Sequence, residues 1–309
     1  WFIYGYQRSQ TVNAQSLIAV NDALYATWIN GNNTLRNRLG ELDYHTDKHG
    51  MWARVYGGQL KGDSFKSSYH TYQIGYDAAF ADKDGKQNGV WYGGAALEYS
   101  KGNASYTAGN GDMDTGAVAL YATKKGKYGD NVDIVLKHGK LKGDIDTYGR
   151  ITDSGDFDTR ATSLSFEYNK RLTQKDGFFI EPQAQFTLGY LGGGRYETSN
   201  GLLVRQSGIN SAVGRVGFNI GKEVGSKGIV YAKANLLHEF SGGYDVTFTD
   251  KFGNRAKLDD DFNDTWFEYG VGVAFQGSKN SYFYLDVERS AGSDYKKDWQ
   301  WNVGARWTF

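Results

Sequence analysis

The chain has 309 residues, no cysteine, one proline and 42 glycines, and its formal net charge is zero. The zero charge gives no indication of a nucleic-acid partner, and a mean hydropathy of −0.59 without an apolar run of roughly 18 residues excludes a helical membrane protein. An aromatic content of 16% at this hydropathy is typical of a transmembrane β-barrel, in which only alternate residues face lipid. The absence of cysteine fits a chain that crosses an oxidising compartment.

The beginning of the chain predicts a helix rather than strands. Apolar residues recur at three-to-four spacing over 17–28, and we expect a helix over 14–40 with Asn13 as its N-cap. Gly31 weakens this helix, and Gly40 ends it. No signal peptide is visible before it, so we interpret the chain as the C-terminal part of a longer protein.

After the helix, alternating segments separated by turn signals predict twelve antiparallel strands. An even number lets both edges pair, so that the sheet closes into a barrel. The odd-numbered connections are mostly long or polar and the even-numbered ones mostly tight, as in outer-membrane barrels, whose short turns face the periplasm. The predicted strands cover residues 51–61, 68–80, 90–101, 113–124, 129–141, 158–171, 177–190, 211–223, 229–240, 265–276, 281–290 and 299–309.

One face of these strands is apolar, most clearly in the last strand. A soluble protein would need a partner to cover such a face, and the alternative of a soluble β-sandwich does not need every strand to be this long. The outward residues of the last strand are Trp299, Trp301, Val303, Ala305, Trp307 and Phe309. The aromatic residues expected in a girdle at the short-turn rim are Phe80, Trp91, Tyr168, Phe178, Phe275, Phe283, Trp307 and Phe309.

The other face carries charged residues that we expect to line the lumen. A helix about 10–12 Å across fits inside a twelve-stranded barrel, and Arg36 and Arg38 on its second half would be attracted to an acidic tube. We therefore predict that the helix is threaded through the lumen; the alternative is a helix that lies outside the periplasmic mouth. The inward charged residues are Arg54, Asp77, Glu98, Asp133, Lys137, Glu167, Glu181, Arg215, Lys233, Glu239, Glu268, Asp286, Glu288 and Arg306.

Several short motifs follow one another in a distinctive order. They are Arg38-Leu39-Gly40-Glu41-Leu42, Met51-Trp52-Ala53-Arg54-Val55, Phe179-Ile180-Glu181-Pro182-Gln183, Gly214-Arg215-Val216-Gly217-Phe218, and Tyr231-Ala232-Lys233 followed by His238-Glu239-Phe240. With them, nearly the whole chain resembles the C-terminal translocator of a classical (type Va) autotransporter. The terminal pattern of Asn302, Gly304, Trp307 and Phe309 resembles the insertion signal read by the barrel-assembly machinery.

The resemblance implies a division of the chain and a set of partners. Residues 1–12 would end the stem of an upstream passenger, 13–42 would form the pore-spanning linker helix, and 43–309 would form a barrel in the bacterial outer membrane. Long loops would be extracellular, and short turns and the C-terminus periplasmic. The implied partners are outer-membrane lipid, the barrel-assembly machinery, periplasmic chaperones and the protein's own passenger; we expect a monomer without metal or cofactor.

Some members of this family cut their own linker inside the pore, where an Asn amide attacks its own carbonyl with help from lumen acids. In that pattern Leu directly follows the second Asn and Arg lies four residues past it; here Thr34 intervenes and Arg38 lies five past it. The shift rotates the Asn pair by about 100° around a helix, so we expect an uncut linker. The candidate residues are Asn32, Asn33, Asp133, Glu167 and Glu181.

Two other functions are compatible with a barrel. A porin is disfavoured because the predicted helix blocks flow, and an outer-membrane hydrolase needs a nucleophile and a His on the same face. His138 and His238 are predicted to face outward, whereas Ser163 and Ser165 face inward.

The connection over 241–264 has an alternating pattern of its own at Tyr244, Val246 and Phe248. This pattern predicts a small surface hairpin that closes over the pore or contacts the passenger. Its acidic run, Asp259 to Asp261, lacks the spacing of a calcium-binding loop.

Overall fold

A computed structural model describes residues 12–32, 34–39, 49–80, 89–148, 152–225 and 227–309. Its helices are α1 (Val12–Asn30) and α2 (Leu35–Leu39). Its strands are β1 (Gly50–Lys61), β2 (Phe65–Phe80), β3 (Gly89–Tyr106), β4 (Gly109–Gly126), β5 (Asp130–Tyr148), β6 (Thr152–Lys170), β7 (Leu172–Thr173), β8 (Phe178–Leu191), β9 (Gly194–Glu197), β10 (Leu203–Gln206), β11 (Ile209–Val224), β12 (Gly228–Glu239), β13 (Tyr244–Thr249), β14 (Arg255–Asp260), β15 (Thr265–Ser278), β16 (Ser281–Ala291) and β17 (Lys296–Thr308).

The long strands form one closed antiparallel sheet. Each pairs with its neighbour along the chain, β8 pairs with both β6 and β11, and β1 pairs with β17 as well as with β2. In the described residues the wall has twelve strands, and the two-residue β7 adds to β8 at one margin. The predicted twelve-stranded barrel is therefore confirmed, and the soluble sandwich is excluded because β1 pairs with β17, so that the sheet closes on itself.

Several strands are longer than the sequence pattern predicts. The expected polar loops 102–112 and 142–157 are largely strand, because β3 ends at residue 106, β4 begins at residue 109, and β5 and β6 continue to residues 148 and 152. The polar residues there keep the alternation and the ladder pairing, so polarity marks strands that continue beyond the apolar band rather than loops. The prediction of long connections at these two positions was wrong.

The long connections 192–208 and 240–264 lie at the same end of the barrel, which we call the long-loop rim; the opposite end is the short-turn rim. These connections form a second antiparallel sheet in the order β14-β13-β10-β9. The predicted hairpin over 241–264 is confirmed as β13 and β14, whereas β9 and β10 were not predicted. Val204, Val246 and Phe248 of this sheet are buried in the same apolar cluster as α1.

The outer wall is apolar, as predicted. Ile134 and Leu136 of β5 and Phe186 and Leu188 of β8 are exposed, and so is the outward face of β15. At the short-turn rim Phe275 stacks on Phe283 with 5.3 Å between ring centroids, and Phe283 meets Trp307 edge-on at 6.1 Å. These contacts support the predicted girdle; the side chain of Phe80 lies outside the described residues.

The helical segment differs in detail from the prediction. It is divided into α1 and α2, with Gly31 and Asn32 between them. Asn13 is not the N-cap, because α1 already begins at residue 12 and the Asn13 amide donates to Thr147 Oγ1 at 3.1 Å. Gly40, the expected end of the helix, lies outside the described residues. Neither described helix has the length and apolar character needed to span a membrane.

Candidate functional site

The lumen of the barrel contains α1 and α2. Asn13 bonds to Thr147 of β5, and on another side the Tyr25 hydroxyl lies 3.2 Å from Ser211 Oγ of β11. Most side chains over 17–29 are buried, on all faces of α1. A helix that is buried on every face is surrounded by protein. The threaded placement is therefore confirmed, and the alternative outside the barrel mouth is wrong.

Near the long-loop rim an aromatic clasp, formed by Tyr25, Tyr244 and Phe262, holds α1. The Tyr25 ring stacks on Phe262 at 3.9 Å between centroids, and Phe262 stacks on Tyr244 at 5.5 Å. The Tyr244 hydroxyl donates to Asp22 Oδ1 at 2.5 Å, and that of Tyr25 donates to Glu239 Oε2 at 2.5 Å. Burial, and then the adjacent Asp22 carboxylate, raise the pKa of Tyr244, so its phenol stays protonated.

The break between the helices lies against a charged group of the wall. Lys137 Nζ occupies the space in which a side chain of residue 31 would begin, 2.6 Å from the position of a Cβ on Gly31. The same ammonium group lies 4.2 Å from the ring centre of Trp28 and 3.2 Å from Glu98 Oε1. Lys137 and Glu98, two of the predicted pore-lining residues, thus lie together beside the break between the helices, and Lys137 contacts α1 through the cation–π contact with Trp28.

The three acids considered for self-cleavage all lie around α2. Arg38 Nη2 donates to both carboxylate oxygens of Asp133 at 2.6 Å. Arg36 Nη2 donates to the carboxylate of Glu181 at 2.9 and 3.0 Å. Glu167 accepts the backbone N–H of Leu35 at 2.9 Å, so it caps the first turn of α2, where carboxylates are favourable.

Asn32 lies three residues before the start of α2. Its Oδ1 accepts a hydrogen bond from Ser163 Oγ at 2.9 Å, whereas Asn33 lies outside the described residues. Asp133 and Glu181 thus each form an ion pair with an arginine of α2.

The other predicted pore-lining residues pair with one another inside the wall. Arg306 Nη1 donates to Asp77 Oδ2 at 2.7 Å, and Arg215 Nη1 donates to Glu268 Oε2 at 2.7 Å. Lys233 Nζ lies 3.0 Å from Asp286 Oδ1 and 2.9 Å from Glu288 Oε1. Arg54 Nε donates to Asn302 Oδ1 at 2.6 Å. Buried ion pairs are costly unless every member is paired, and Arg306, Arg215 and Lys233 each have at least one carboxylate partner.

The sequence analysis missed two cations of the lumen and one amide. Lys297 is buried and lies 3.4 Å from Glu268 Oε1 and 3.2 Å from Glu288 Oε2. Strict alternation would place it outside, but the register between β1 and β17 shifts after Gln59, and a bulge moves the following side chain to the other face. Arg171, 3.3 Å from Glu181 Oε2, follows directly after β6.

The amide is Asn37 of α2, which binds two groups of the wall. Its Nδ2 donates to Glu288 Oε1 at 2.8 Å, and its Oδ1 accepts from Lys233 Nζ at 2.9 Å. The sequence gives no signal for this role of Asn37, because the role depends on which strands face α2, here β12 and β16.

The terminal strand presents its four signal-like residues on both faces. Trp307 and Phe309 are exposed on the outer wall, whereas Asn302 is buried inside. A Cβ on Gly304 would overlap the ring of Tyr284. The absence of a side chain at residue 304 therefore leaves the space that the tyrosine ring occupies.

Both outward histidines bond to threonines, a pairing that was not predicted. His138 Nδ1 lies 2.8 Å from Thr162 Oγ1, and His238 Nδ1 lies 2.7 Å from Thr265 Oγ1. Ser163 and Ser165 face inward, as expected. Within the described parts of the chain, no cluster of His, Asp and Glu is arranged to hold a metal ion.

Comparison with known proteins identifies the barrel. Residues 51–288 match the family model of the autotransporter β-domain. The chain belongs to the autotransporter β-domain family. Over 294 residues it is 30% identical to the pertactin autotransporter of Bordetella parapertussis, which covers 91% of this chain and 31% of that protein. Over 323 residues it is 28% identical to the BrkA autotransporter of Bordetella pertussis, which covers 99% and 31%.

The solved β domain of the Bordetella autotransporter BrkA has the same fold, with a TM-score of 0.68 and 25% identity over 85% of this chain and 100% of that one. The chain spans 31% of the length of both curated relatives. As an autotransporter β-domain, it inserts in the outer membrane and supports the export of a passenger. This family function replaces the alternative of a porin, and because the translocator domain of an autotransporter is not itself catalytic, the hydrolase is set aside as well.

Proposed function

We propose that α1 and α2 are the linker through which this translocator holds an exported passenger at the cell surface. The observation that carries the proposal is the match between the two helices and the lumen: aromatic contacts hold α1, and paired charges hold α2. Residues 1–12 would connect the linker to the passenger; of these, 1–11 lie outside the described residues. The passenger's own activity is not encoded in this chain.

The orientation follows from the two rims. We place the long-loop rim outside the cell, and the short turns and Phe309 in the periplasm, because outer-membrane barrels have short periplasmic turns. Outward Trp307 and Phe309 are then available to the barrel-assembly machinery and to periplasmic chaperones during insertion. A closed wall has no free strand edge, which supports a monomer in outer-membrane lipid.

The lumen residues act in this proposal as holders of the linker rather than as catalysts. Arg54, Asp77, Glu98, Lys137, Arg215, Lys233, Glu239, Glu268 and Arg306 would keep the wall charges paired around the helix. Asp133, Glu167 and Glu181 would fix α2 through Arg38, Leu35 and Arg36. With these acids occupied, we propose that the linker stays uncut at Asn32 and Asn33.

Single-channel conductance of the refolded chain tests whether the helix closes the pore. We expect a low conductance for the full chain and for a variant without residues 1–11, and a large increase when residues 1–40 are removed. The shorter deletion is the matched control, because it retains both helices. Equal conductance of the two deletion variants would contradict the proposal and favour a channel that the helix does not block.

A further inference from the structure

An apolar groove runs across the outer wall from β1 to β5. It has a volume of about 590 Å³ and opens toward the membrane. Its outward residues include Ile74, Leu97, Val118, Leu120 and Leu136, and along β5 it ends at His138, on the side of the long-loop rim. A groove of this composition suits acyl chains.

Two cations stand side by side where the apolar wall ends. Lys140 of β5 and Arg160 of β6 are cross-strand partners, and both are exposed. Like charges directly opposite each other are destabilising. Lys140 pairs with Asp158 in the next row, but Arg160 makes no ion pair within the part of the chain that the structure describes. The row of Lys140 and Arg160 therefore has no acid of its own.

The row beyond it is different, because its charges offset one another. Asp114 pairs across the strands with Lys142, and Lys142 pairs with Asp158. The Tyr99 hydroxyl also donates to Asp114 Oδ1 at 2.9 Å. Next to the end of the groove, Lys140 and Arg160 therefore face each other across the strands, and Asp158, bonded to Lys140, is the acid beside them.

An open notch separates Tyr99 from Lys140 in the same row. Gly116 of β4 pairs with both residues, and a Cβ on Gly116 would meet no other atom within 4 Å. His138 is held beside this notch through Nδ1, which is bonded to Thr162 Oγ1 at 2.8 Å. Its Nε2 does not take part in that bond, and it donates to a bound anion when Thr162 donates to Nδ1 or when the ring carries both protons.

We propose that the groove, the notch and the cationic pair form a docking site for an acylated, phosphorylated glycolipid of the outer leaflet. The acyl chains would lie in the groove, and a phosphate would enter the notch at Gly116 and bond to Lys140 and Arg160, with His138 as a further donor. The inference rests on the proposed function in one respect: the long-loop rim must face the cell surface, where such glycolipids are found.

A second groove on the opposite part of the wall provides a comparison. It has a volume of about 720 Å³ and extends from Phe178 to Val287, and its outward cation is Lys222 near the short-turn rim. A single lysine at that rim would meet the inner leaflet, so the paired cations at the outer end distinguish the first groove. We expect the second groove not to discriminate between lipids by their phosphates.

Binding of purified diphosphoryl lipid A to the refolded chain in zwitterionic detergent tests the site, with bound lipid counted by native mass spectrometry. The doubly substituted Lys140→Gln/Arg160→Gln chain should bind about tenfold more weakly. Gly116→Phe should weaken binding similarly, because its ring fills the notch in a strand that accepts aromatic residues. Arg289→Gln is the matched control, since Arg289 is also outward and exposed but faces Tyr269 across the strands rather than a second cation; it should bind as the parent does.

Three results would overturn the proposal: unchanged binding in both test variants, an equal loss in Arg289→Gln, or equal affinity for dephosphorylated lipid A. Tighter binding of phosphatidylglycerol than of lipid A would also overturn it, because that lipid belongs to the inner leaflet. The conductance of all three variants should equal that of the parent, so a failure at this site is separable from a failure of the linker proposal.

Discussion

The ring of Tyr284 in β16 fills the space that a side chain at Gly304 in β17 would occupy. The Tyr284 hydroxyl lies 3.1 Å from the backbone carbonyl oxygens of both Asn37 and Arg38, which share its one proton. These carbonyls belong to the end of α2, where the last acceptors of a helix lack partners within the helix. A glycine of the terminal strand therefore has a structural effect on the linker, through one tyrosine.

Gly304→Ala should displace this ring and destabilise the barrel by about 1–3 kcal/mol, the usual cost of overpacking. Tyr284→Phe keeps the ring but leaves two carbonyls unbonded, and should cost about 1–2 kcal/mol. Unfolding by guanidinium in detergent micelles measures both. The doubly substituted Gly304→Ala/Tyr284→Ala chain should lose less than the sum of its single substitutions; strict additivity would show that the two residues are independent.

Arg38→Met should cost about 3–5 kcal/mol, because it leaves the Asp133 carboxylate buried without its cation. Replacing both members, as Arg38→Met/Asp133→Leu, should recover most of this loss, since an apolar pair has no unpaired charge. Arg289→Met breaks an exposed ion pair and should cost at most about 1 kcal/mol. Unfolding by guanidinium in detergent micelles measures these losses as well. Equal losses of unfolding free energy in Arg38→Met and Arg289→Met would show that the buried pair stabilises the protein no more than the exposed one.

Phe262→Ala should open the aromatic clasp, because the ring between Tyr25 and Tyr244 is removed. Trypsin should then cleave at Arg255 or Lys257 of β14 about tenfold faster, since cleavage follows the population of the open state. Phe252→Ala, in the same hairpin but 78% exposed, is the control and should leave the rate unchanged. Similar rates for both variants would mean that the clasp does not hold this segment.

Single cysteines test the proposed orientation, because the chain has none of its own. Lys257→Cys lies in β14 at the long-loop rim, and Lys127→Cys lies in an exposed short turn. A membrane-impermeant maleimide should label the first on intact cells and the second only after the outer membrane is permeabilised. Labelling of Lys127→Cys but not of Lys257→Cys on intact cells would show that the barrel has the opposite orientation in the membrane.

The linker should remain intact after expression and insertion. Asp133 and Glu181 are held by arginines, and Glu167 by a backbone N–H, so a free carboxylate is not available as a base. Mass spectrometry should show the same N-terminus for the parent and for Asn32→Ala. A new N-terminus at Asn33 or Thr34 in the parent alone would show that the pore cuts its linker.

Sequence periodicity predicted the barrel wall well, because one face of each strand meets lipid and the other meets the lumen, so the alternation is continuous. Sequence periodicity failed where the direction of a side chain depends on a distant strand, and where a strand lacks an apolar face. Lys297 faces inward because of a bulge relative to β1, which is remote in sequence. The sequence pattern predicted loops at the long-loop ends of β3 to β6, because strand residues outside the membrane are polar on both faces and lack the apolar alternation.

The sequence by itself determined the twelve-stranded barrel, the apolar outer wall, the inward charges and the helix, since each follows from spacing along one strand or one turn. The tertiary structure alone decided which charges pair, where the helix breaks, that β9 and β10 join the β13–β14 hairpin, and that Tyr284 reaches α2. Such contacts join residues that are far apart in the sequence, such as Arg38 and Asp133 at 95 positions and Tyr284 and Asn37 at 247, and closure of the sheet sets their distances; local periodicity contains no information about them.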